Sequence, residues 1–193
     1  MRGSDVRRPE RVYTDTERLA LLGVARAAVR AVAHASPSPP LPDDLPAHLY
    51  EPGGAFVSLH DAQGRLRGCI GDVAPDGPLV SIVARVAAAA ATRDPRFPRL
   101  RAEELDGLRV EVSILSPMRN VTAAEIEPVI HGICFEYGRH RAILLPQVAA
   151  GQGWDTETLL AHLCEKADAA ADAWRDPAAT LLAFTVESVE GEV

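Results

Sequence analysis

The stretch that most constrains the fold lies at residues 66–71 and reads LRGCIG. It follows an apolar run at residues 55–59 and a turn signal at residues 61–64, an order that is typical of a β-hairpin. Glycine weakens a strand, so two glycines within one predict a bulge or the close approach of another backbone or a ligand. Strand alternation places Arg67 and Cys69 on the same face. We therefore predict a thiol beside a guanidinium on an exposed or cleft-lining face.

The remaining pattern predicts helices and further strands around this hairpin. A capping box at Thr14–Glu17 begins a helix that runs to about His34, where a proline-rich linker at residues 36–42 ends it. Further helices are predicted from Pro78 to about Thr92, at 146–150 and, capped by Asp155, at 156–168. Alternation or turn signals predict strands at 108–114, 129–137, 141–145 and 182–186. Hairpins with separate helices indicate an α+β fold, with a mostly antiparallel sheet and helices packed on its faces.

The length of 193 residues fits one domain, either alone or with a small lobe. We predict a flexible N-terminus at residues 1–13, a single domain at 14–189 and a tail at 190–193. The formal net charge of -7 disfavours a general nucleic-acid-binding protein, because such proteins usually carry a basic patch on a basic domain.

The number and spacing of the cysteines indicate the cellular compartment of the protein. Cys69, Cys134 and Cys164 show no CxxC spacing, and an odd number favours reduced thiols in a cytoplasm. The sequence contains neither an apolar run of membrane-spanning length nor an apolar signal core. We therefore predict a cytoplasmic protein that has no membrane association. The six histidines show no spacing of a metal site, and no metal ligand is predicted.

Cys69 is the candidate catalytic residue. A thiol acts as a nucleophile when nearby cations favour the thiolate, and Arg67 is placed to do this. The alternative is that Cys69 is a small, half-buried residue that fits where glycines crowd the backbone.

A second hypothesis concerns polar residues on a neighbouring strand. If the strand at 108–114 lies beside residues 65–71, Arg67 meets Glu111 across the sheet, and Ser113 extends the polar patch. A simple cross-strand ion pair is the favoured alternative, because such pairs are common. His131 could act as a base for Cys69 only if the fold brings the two together.

The LRGCIG stretch resembles the signature of the AMMECR family, which comprises the AMME syndrome candidate gene protein and its microbial relatives. The resemblance covers about residues 14–189 and continues through Asp94-Pro95-Arg96-Phe97-Pro98, Val110–Leu115, His131-Gly132-Ile133, Leu144–Val148, Gln152-Gly153-Trp154 and Leu163–Ala167. It implies an α+β fold with a larger lobe and a smaller one beside it. The N-terminal helix or residues 118–150 are candidates for the smaller lobe.

The resemblance implies a functional surface but no established reaction and no known cofactor. It also implies MEMO-like and radical SAM proteins as partners in one modification pathway. We predict a cleft around Leu66–Gly71 that accepts an unknown small molecule or a protein partner. The candidate binding residues are Arg67, Gly68, Gly71, Glu111, Ser113 and His131. A thiol-dependent enzyme that uses Cys69 is the alternative, and nucleic-acid binding is the least favoured hypothesis.

Overall fold

The computed structural model describes residues 12–73 and 77–193, and it divides them into two compact units. Of the described residues, those from 12 to 115 form one unit together with 187–193, and residues 116–186 form the other. The helices are α1 (Asp15–Ala33), α2 (Leu79–Ala90), α3 (Pro146–Gln152) and α4 (Thr156–Lys166). The strands are β1 (Ala55–His60), β2 (Leu66–Asp72), β3 (Arg109–Leu115), β4 (Arg119–Asn120), β5 (Gly132–Tyr137), β6 (His140–Leu144), β7 (Thr180–Phe184) and β8 (Val186–Glu192).

The larger unit contains a four-stranded sheet in the order β2-β1-β3-β8. β1 pairs antiparallel with both of its neighbours, as the hairpin pattern predicts for β1 and β2. Alternate residues of β1 and β3, including Val57 and Val112, are fully buried and face the core. The predicted α+β class is therefore confirmed, and this sheet places LRGCIG on an edge strand.

Two helices pack within the same unit, α1 on α2 and α2 on β1 and β2. The predicted capping box is present, since the Glu17 N–H donates to Thr14 Oγ1 and the Glu17 carboxylate accepts the Thr14 N–H. α2 begins after Pro78, as predicted, and the sequence Asp76-Gly77-Pro78, which is typical of a turn, includes Asp76, which lies outside the described residues. The alanines at the end of α2 allow close packing, and the carbonyl oxygen of Ala90 lies against Gly68 of β2.

The smaller unit has its own antiparallel sheet, in the order β4-β7-β5-β6. α4 packs on β6, and its buried residues Leu160 and Leu163 join a core with Phe135 of β5. The predicted hairpin is present, but β5 begins at Gly132 rather than at residue 129. The prediction that α4 is capped by Asp155 is confirmed, since Asp155 Oδ1 accepts the Thr158 N–H at 2.8 Å.

The end of the chain differs from the prediction. In place of one strand at 182–186 there are two, β7 and β8, which belong to different sheets and are separated by Thr185. Residues 190–192, for which the sequence predicts a tail, lie in β8, and the Val193 N–H donates to Leu108 O. Most of the predicted flexible N-terminus, residues 1–11, lies outside the described residues. Of the two candidate segments for a smaller lobe, α1 belongs to the larger unit and residues 118–150 to the smaller.

Among the residues that the structure describes, no helix combines the length and the apolar character needed to cross a membrane.

Candidate functional site

The β1–β2 hairpin sets the position of Cys69. Its turn contains Gly64 at a φ of 75°, and the Asp61 carboxylate accepts the N–H groups of Gln63 and Arg65. The resulting register places Cys69 opposite Ser58, whose hydroxyl donates to the Cys69 sulfur at 3.3 Å. The thiol is half-buried and lies on the face of the sheet opposite the core residues.

Both glycines of the stretch make room for other protein atoms. A Cβ on Gly68 would lie 2.2 Å from the carbonyl oxygen of Ala90, so the end of α2 touches the strand backbone at this point. A Cβ on Gly71 would lie 2.1 Å from the ring of Phe56 on the neighbouring strand. The predicted close approach of another backbone is present at Gly68, whereas Gly71 is approached by an aromatic side chain.

Asp94 ties the loop after α2 to the edge of the sheet. Its carboxylate accepts the Cys69 N–H at 2.8 Å, a donor that would otherwise lack a ladder partner because β2 is an edge strand. The Arg96 guanidinium donates two hydrogen bonds to the same carboxylate, at 2.9 and 2.7 Å. Asp94 is only 4% exposed, and the hydrogen bonds from Arg96 hold the pKa of its carboxyl far below the ordinary value.

Sequence reasoning missed Asp94 as a site residue. In the loop that contains it, Phe97 is half-buried, and the fully buried residue is Leu100. The available signal was the Asp-Pro-Arg spacing, which allows a carboxylate to bind a guanidinium two residues later. The hydrogen bond between Asp94 and the Cys69 N–H has no comparable sequence signal, because the two residues lie 25 positions apart in the chain.

Arg67 pairs with Glu104, and the predicted contact with Glu111 is wrong. β1 lies between β2 and β3, so the two strands are about 10 Å apart, at two strand spacings. Arg67 Nε donates to Glu104 Oε1 at 3.1 Å, and Nη2 donates to both carboxylate oxygens at 2.7 and 2.8 Å. The guanidinium carbon also lies 5.9 Å from the centre of the Phe97 ring.

One nitrogen of the Arg67 guanidinium makes no hydrogen bond to the described residues. This nitrogen, Nη1, is buried. A buried donor without an acceptor is unusual, since the great majority of such groups are paired in native structures. The candidate site therefore contains a buried guanidinium N–H group whose hydrogen-bonding capacity is unused among the described residues.

Glu111 and Ser113 lie on the same outward face of the sheet as Cys69. They belong to β3, which is separated from β2 by β1. Ser58 lies opposite both Cys69 and Glu111, so a thiol, a hydroxyl and a carboxylate form one row across three strands. Ser113 is buried, and its hydroxyl lies 3.0 Å from the Ser188 hydroxyl of β8. The row offers polar groups of several kinds at about 4.8 Å spacing.

His131 belongs to the smaller unit, immediately before β5. Its Nδ1 accepts the Glu127 N–H at 3.1 Å, and burial lowers its pKa, with a further lowering by the charge of Arg119. Cys134 and Cys164 are buried, and burial raises the pKa of both thiols. Cys69 is thus the thiol that combines partial exposure with polar neighbours. Within residues 12–73 and 77–193, no group of three or more His, Cys, Asp or Glu side chains is arranged to hold a metal ion.

Two antiparallel four-stranded sheets with packed helices define an α+β protein. Its candidate site consists of a thiol and a guanidinium on an edge strand, whose backbone is hydrogen-bonded to Asp94 of the loop after α2. The chain belongs to the AMMECR1 family, whose model matches residues 22–189.

Individual relatives agree with this assignment. The chain is 38% identical over 174 residues to a protein of Methanothermobacter thermautotrophicus, with 86% of this chain and 90% of that protein covered. It is 42% identical over 161 residues to protein TK0174 of Thermococcus kodakarensis, with 78% of each chain covered. The crystal structure of the uncharacterized protein PH0010 from Pyrococcus horikoshii matches with a TM-score of 0.83 and 36% identity, over 93% of each chain. These names state no activity or ligand.

Proposed function

We propose that this AMMECR1-family protein binds a small polar molecule at the Arg67–Cys69 edge of its larger sheet, through a carboxylate or carbonyl oxygen of that molecule. The observation that carries the proposal is the buried Nη1 group of Arg67, which lacks an acceptor among the described residues. Burying a donor without a partner costs about 1–3 kcal/mol, and more for a charged group. A ligand oxygen at this position would remove that cost.

The surroundings of Arg67 support binding because they fix the guanidinium in advance. Glu104 holds it through three hydrogen bonds, and the Phe97 ring lies against it. A donor that is already oriented loses little conformational entropy when a ligand arrives. The half-buried thiol of Cys69 and the Ser58 hydroxyl supply further polar contacts nearby.

A thiol-dependent enzyme is the second candidate, favoured by the 3.3 Å contact from the Ser58 hydroxyl to the Cys69 sulfur. Nucleophilic catalysis also needs a base that removes the thiol proton. Within the larger unit, Asp94 is the carboxylate bound to Cys69, and it already accepts the backbone N–H and the Arg96 guanidinium. We therefore rank binding above catalysis.

The family resemblance leads us to propose MEMO-like and radical SAM proteins as cytoplasmic partners in a shared modification pathway. This proposal rests on the resemblance alone. Its test is co-elution of the purified protein with MEMO-like and radical SAM proteins from the same genome, and the absence of any complex at micromolar concentrations would contradict it.

The binding proposal is tested by alkylation of Cys69 in the presence of small carboxylates. A panel of such compounds is screened by thermal shift, and those that raise Tm are then tested for protection of Cys69 from iodoacetamide, mapped by mass spectrometry. We expect protection in the wild type and loss of protection in Arg67→Lys, because lysine cannot reproduce the fixed guanidinium.

The matched control is Arg65→Lys, which changes an exposed arginine two residues away in the same hairpin. Glu104→Gln serves as a second test variant. It leaves Nη1 of Arg67 in place but weakens the hydrogen bonds that orient the Arg67 guanidinium. Equal protection of Arg67→Lys and the wild type would overturn the proposal, as would the absence of any compound that raises Tm.

A further inference from the structure

A cavity in the larger unit is lined by residues other than those of the Cys69 site. It has a volume of about 1180 Å³ and lies between α1, α2 and the extended segment 38–46, which we call the proline segment. This volume is above the range of about 300–1,000 Å³ that is usual for small-molecule sites. It therefore has room for an elongated ligand.

The two helices that flank the cavity begin at the same end. His48, which follows the proline segment, lies 3.1 Å from Glu17 at the start of α1, and the Leu79 N–H at the start of α2 donates to Glu51 O. The proline segment therefore leads back along the groove from the end of α1. The lining on α1 extends from Thr16 to Val32, a distance of about 24 Å at 1.5 Å per residue.

The walls of this groove are mostly apolar and made of small side chains. Alanines of both helices form one side, and leucines of the proline segment lie across from them. The residues that make up this apolar lining include Ala20, Ala27, Ala84, Ala88, Leu41 and Leu45. They are only partly buried, so an apolar ligand would remove further surface from water.

Charged residues lie near both ends of the groove, and Arg85, which pairs with Asp72, lies between them on α2. Arg93 follows the end of α2, and Arg99 donates to Val32 O at the end of α1 at 3.3 Å. Neither arginine has a carboxylate partner within ion-pair distance among the described residues, although the whole chain carries a net charge of -7. Asp44, the acidic residue of the lining, lies just before the turn at residues 47–50, near the other end.

We infer that the groove binds an amphiphilic anion with one long apolar chain. The chain lies between α1 and α2 beneath the proline segment, and the anionic head lies at Arg93 and Arg99. A fatty-acid carboxylate and the phosphate head of a single-chain lipid share this chemistry. A partner helix would fill the apolar part of the groove but would not require an anion at its end.

The probe is cis-parinaric acid, a fluorescent fatty acid, titrated into the purified full chain below its critical micelle concentration. We expect saturable binding to the wild type and a loss of at least about tenfold in affinity for the double variant Arg93→Glu/Arg99→Glu. The matched control is Arg30→Glu, an exposed residue in the last turn of α1 that does not line the groove, which should bind as the wild type does.

Filling the groove gives an independent test of the chain position. Ala27→Leu and Ala88→Leu place larger side chains in it, and each should weaken the probe while circular dichroism and Tm show a folded protein. Competition on the wild type then separates the sources: a saturated fatty acid, a lysophosphatidic acid and an alcohol of equal chain length are compared. We expect both acids to compete and the alcohol to compete poorly.

Three results would overturn the inference. One is the absence of saturable probe binding to the wild type. Another is equal competition by the alcohol and the acids, which would mean that the arginines only complement the helix dipoles. The third is unchanged affinity in the leucine variants. If the double variant does not fold, the competition series on the wild type still decides the question of the anion.

Discussion

Asp94 joins two segments that are far apart in the chain, the edge strand β2 and the loop after α2. We expect Asp94→Asn to lower the free energy of unfolding by about 2–3 kcal/mol at neutral pH, because the hydrogen bonds from Arg96 lose their ionic partner. The measurement is urea unfolding, and Asp61→Asn in the exposed hairpin turn is the control, with a much smaller expected loss.

The same variant has a defined pH dependence. The pKa of Asp94 is lower in the folded protein than its ordinary value of 3.8, so its stabilising effect is complete above that value and is lost as the pH falls below it. The stability difference between wild type and Asp94→Asn should therefore shrink between pH 5 and pH 2. A difference that stays constant over this range would contradict the assignment.

Gly68 is the residue at which the packing is tightest. Gly68→Ala would place a methyl group against the Ala90 carbonyl oxygen, a backbone atom that cannot rotate away. We expect a loss of about 3 kcal/mol, in the upper part of the range for overpacked sites, measured by chemical unfolding.

Gly23→Ala is the matched control for this prediction. Gly23 lies within α1, and a Cβ there meets nothing within 4 Å. Alanine should raise stability by about 0.5–1 kcal/mol, because it reduces the backbone entropy lost on folding. Opposite signs for the two glycines are the expected result, and equal losses would contradict it.

At the level of secondary structure, the start of α1 depends on the Thr14–Glu17 capping box. Thr14→Ala removes the acceptor for the Glu17 N–H and should cost about 1 kcal/mol. Thr14→Ser retains the hydroxyl and should cost little. The measurement is thermal unfolding of the three proteins, and equal Tm values for the alanine variant and the wild type would contradict the role of the cap.

The order of the strands explains why one site prediction failed. The alternation of β3 correctly predicts that Glu111 and Ser113 face away from the core, and the glycines of β2 correctly predict close packing. Alternation states which face a residue occupies but not which strand lies next to it. Because β1 separates β2 from β3, Arg67 lies beside Glu104 instead of Glu111.

At the level of the whole molecule, each unit has its own hydrophobic core. Leu160 of α4 is fully buried in the smaller unit, and Leu160→Ala should lower stability by about 2–5 kcal/mol. Since the core belongs to that unit, we expect hydrogen exchange to accelerate more in β5 and β7 than in β1 and β3.

Val57→Ala in β1 provides the reciprocal variant, because Val57 is fully buried in the core of the larger unit. It should accelerate exchange mainly in β1 and β3. Equal acceleration in both sheets for both variants would mean that the two units unfold together as one cooperative structure.

The sequence by itself determined the local elements of this protein. Caps, turns and alternation depend on residues within a few positions of one another, so they are readable from the chain, as for the Thr14 cap, the β1–β2 hairpin and the inward face of β3. The family and the α+β class were likewise apparent from ordered motifs.

Only the tertiary structure decided which distant residues meet. The partner of the Cys69 N–H, the partner of Arg67, the division of the last predicted strand between two sheets and the groove beneath the proline segment all arise from packing. The physical reason is that a hydrogen bond or an ion pair across the fold needs only a suitable atom at the right place. Many positions in the chain can supply that atom, and only the arrangement of the elements selects one of them.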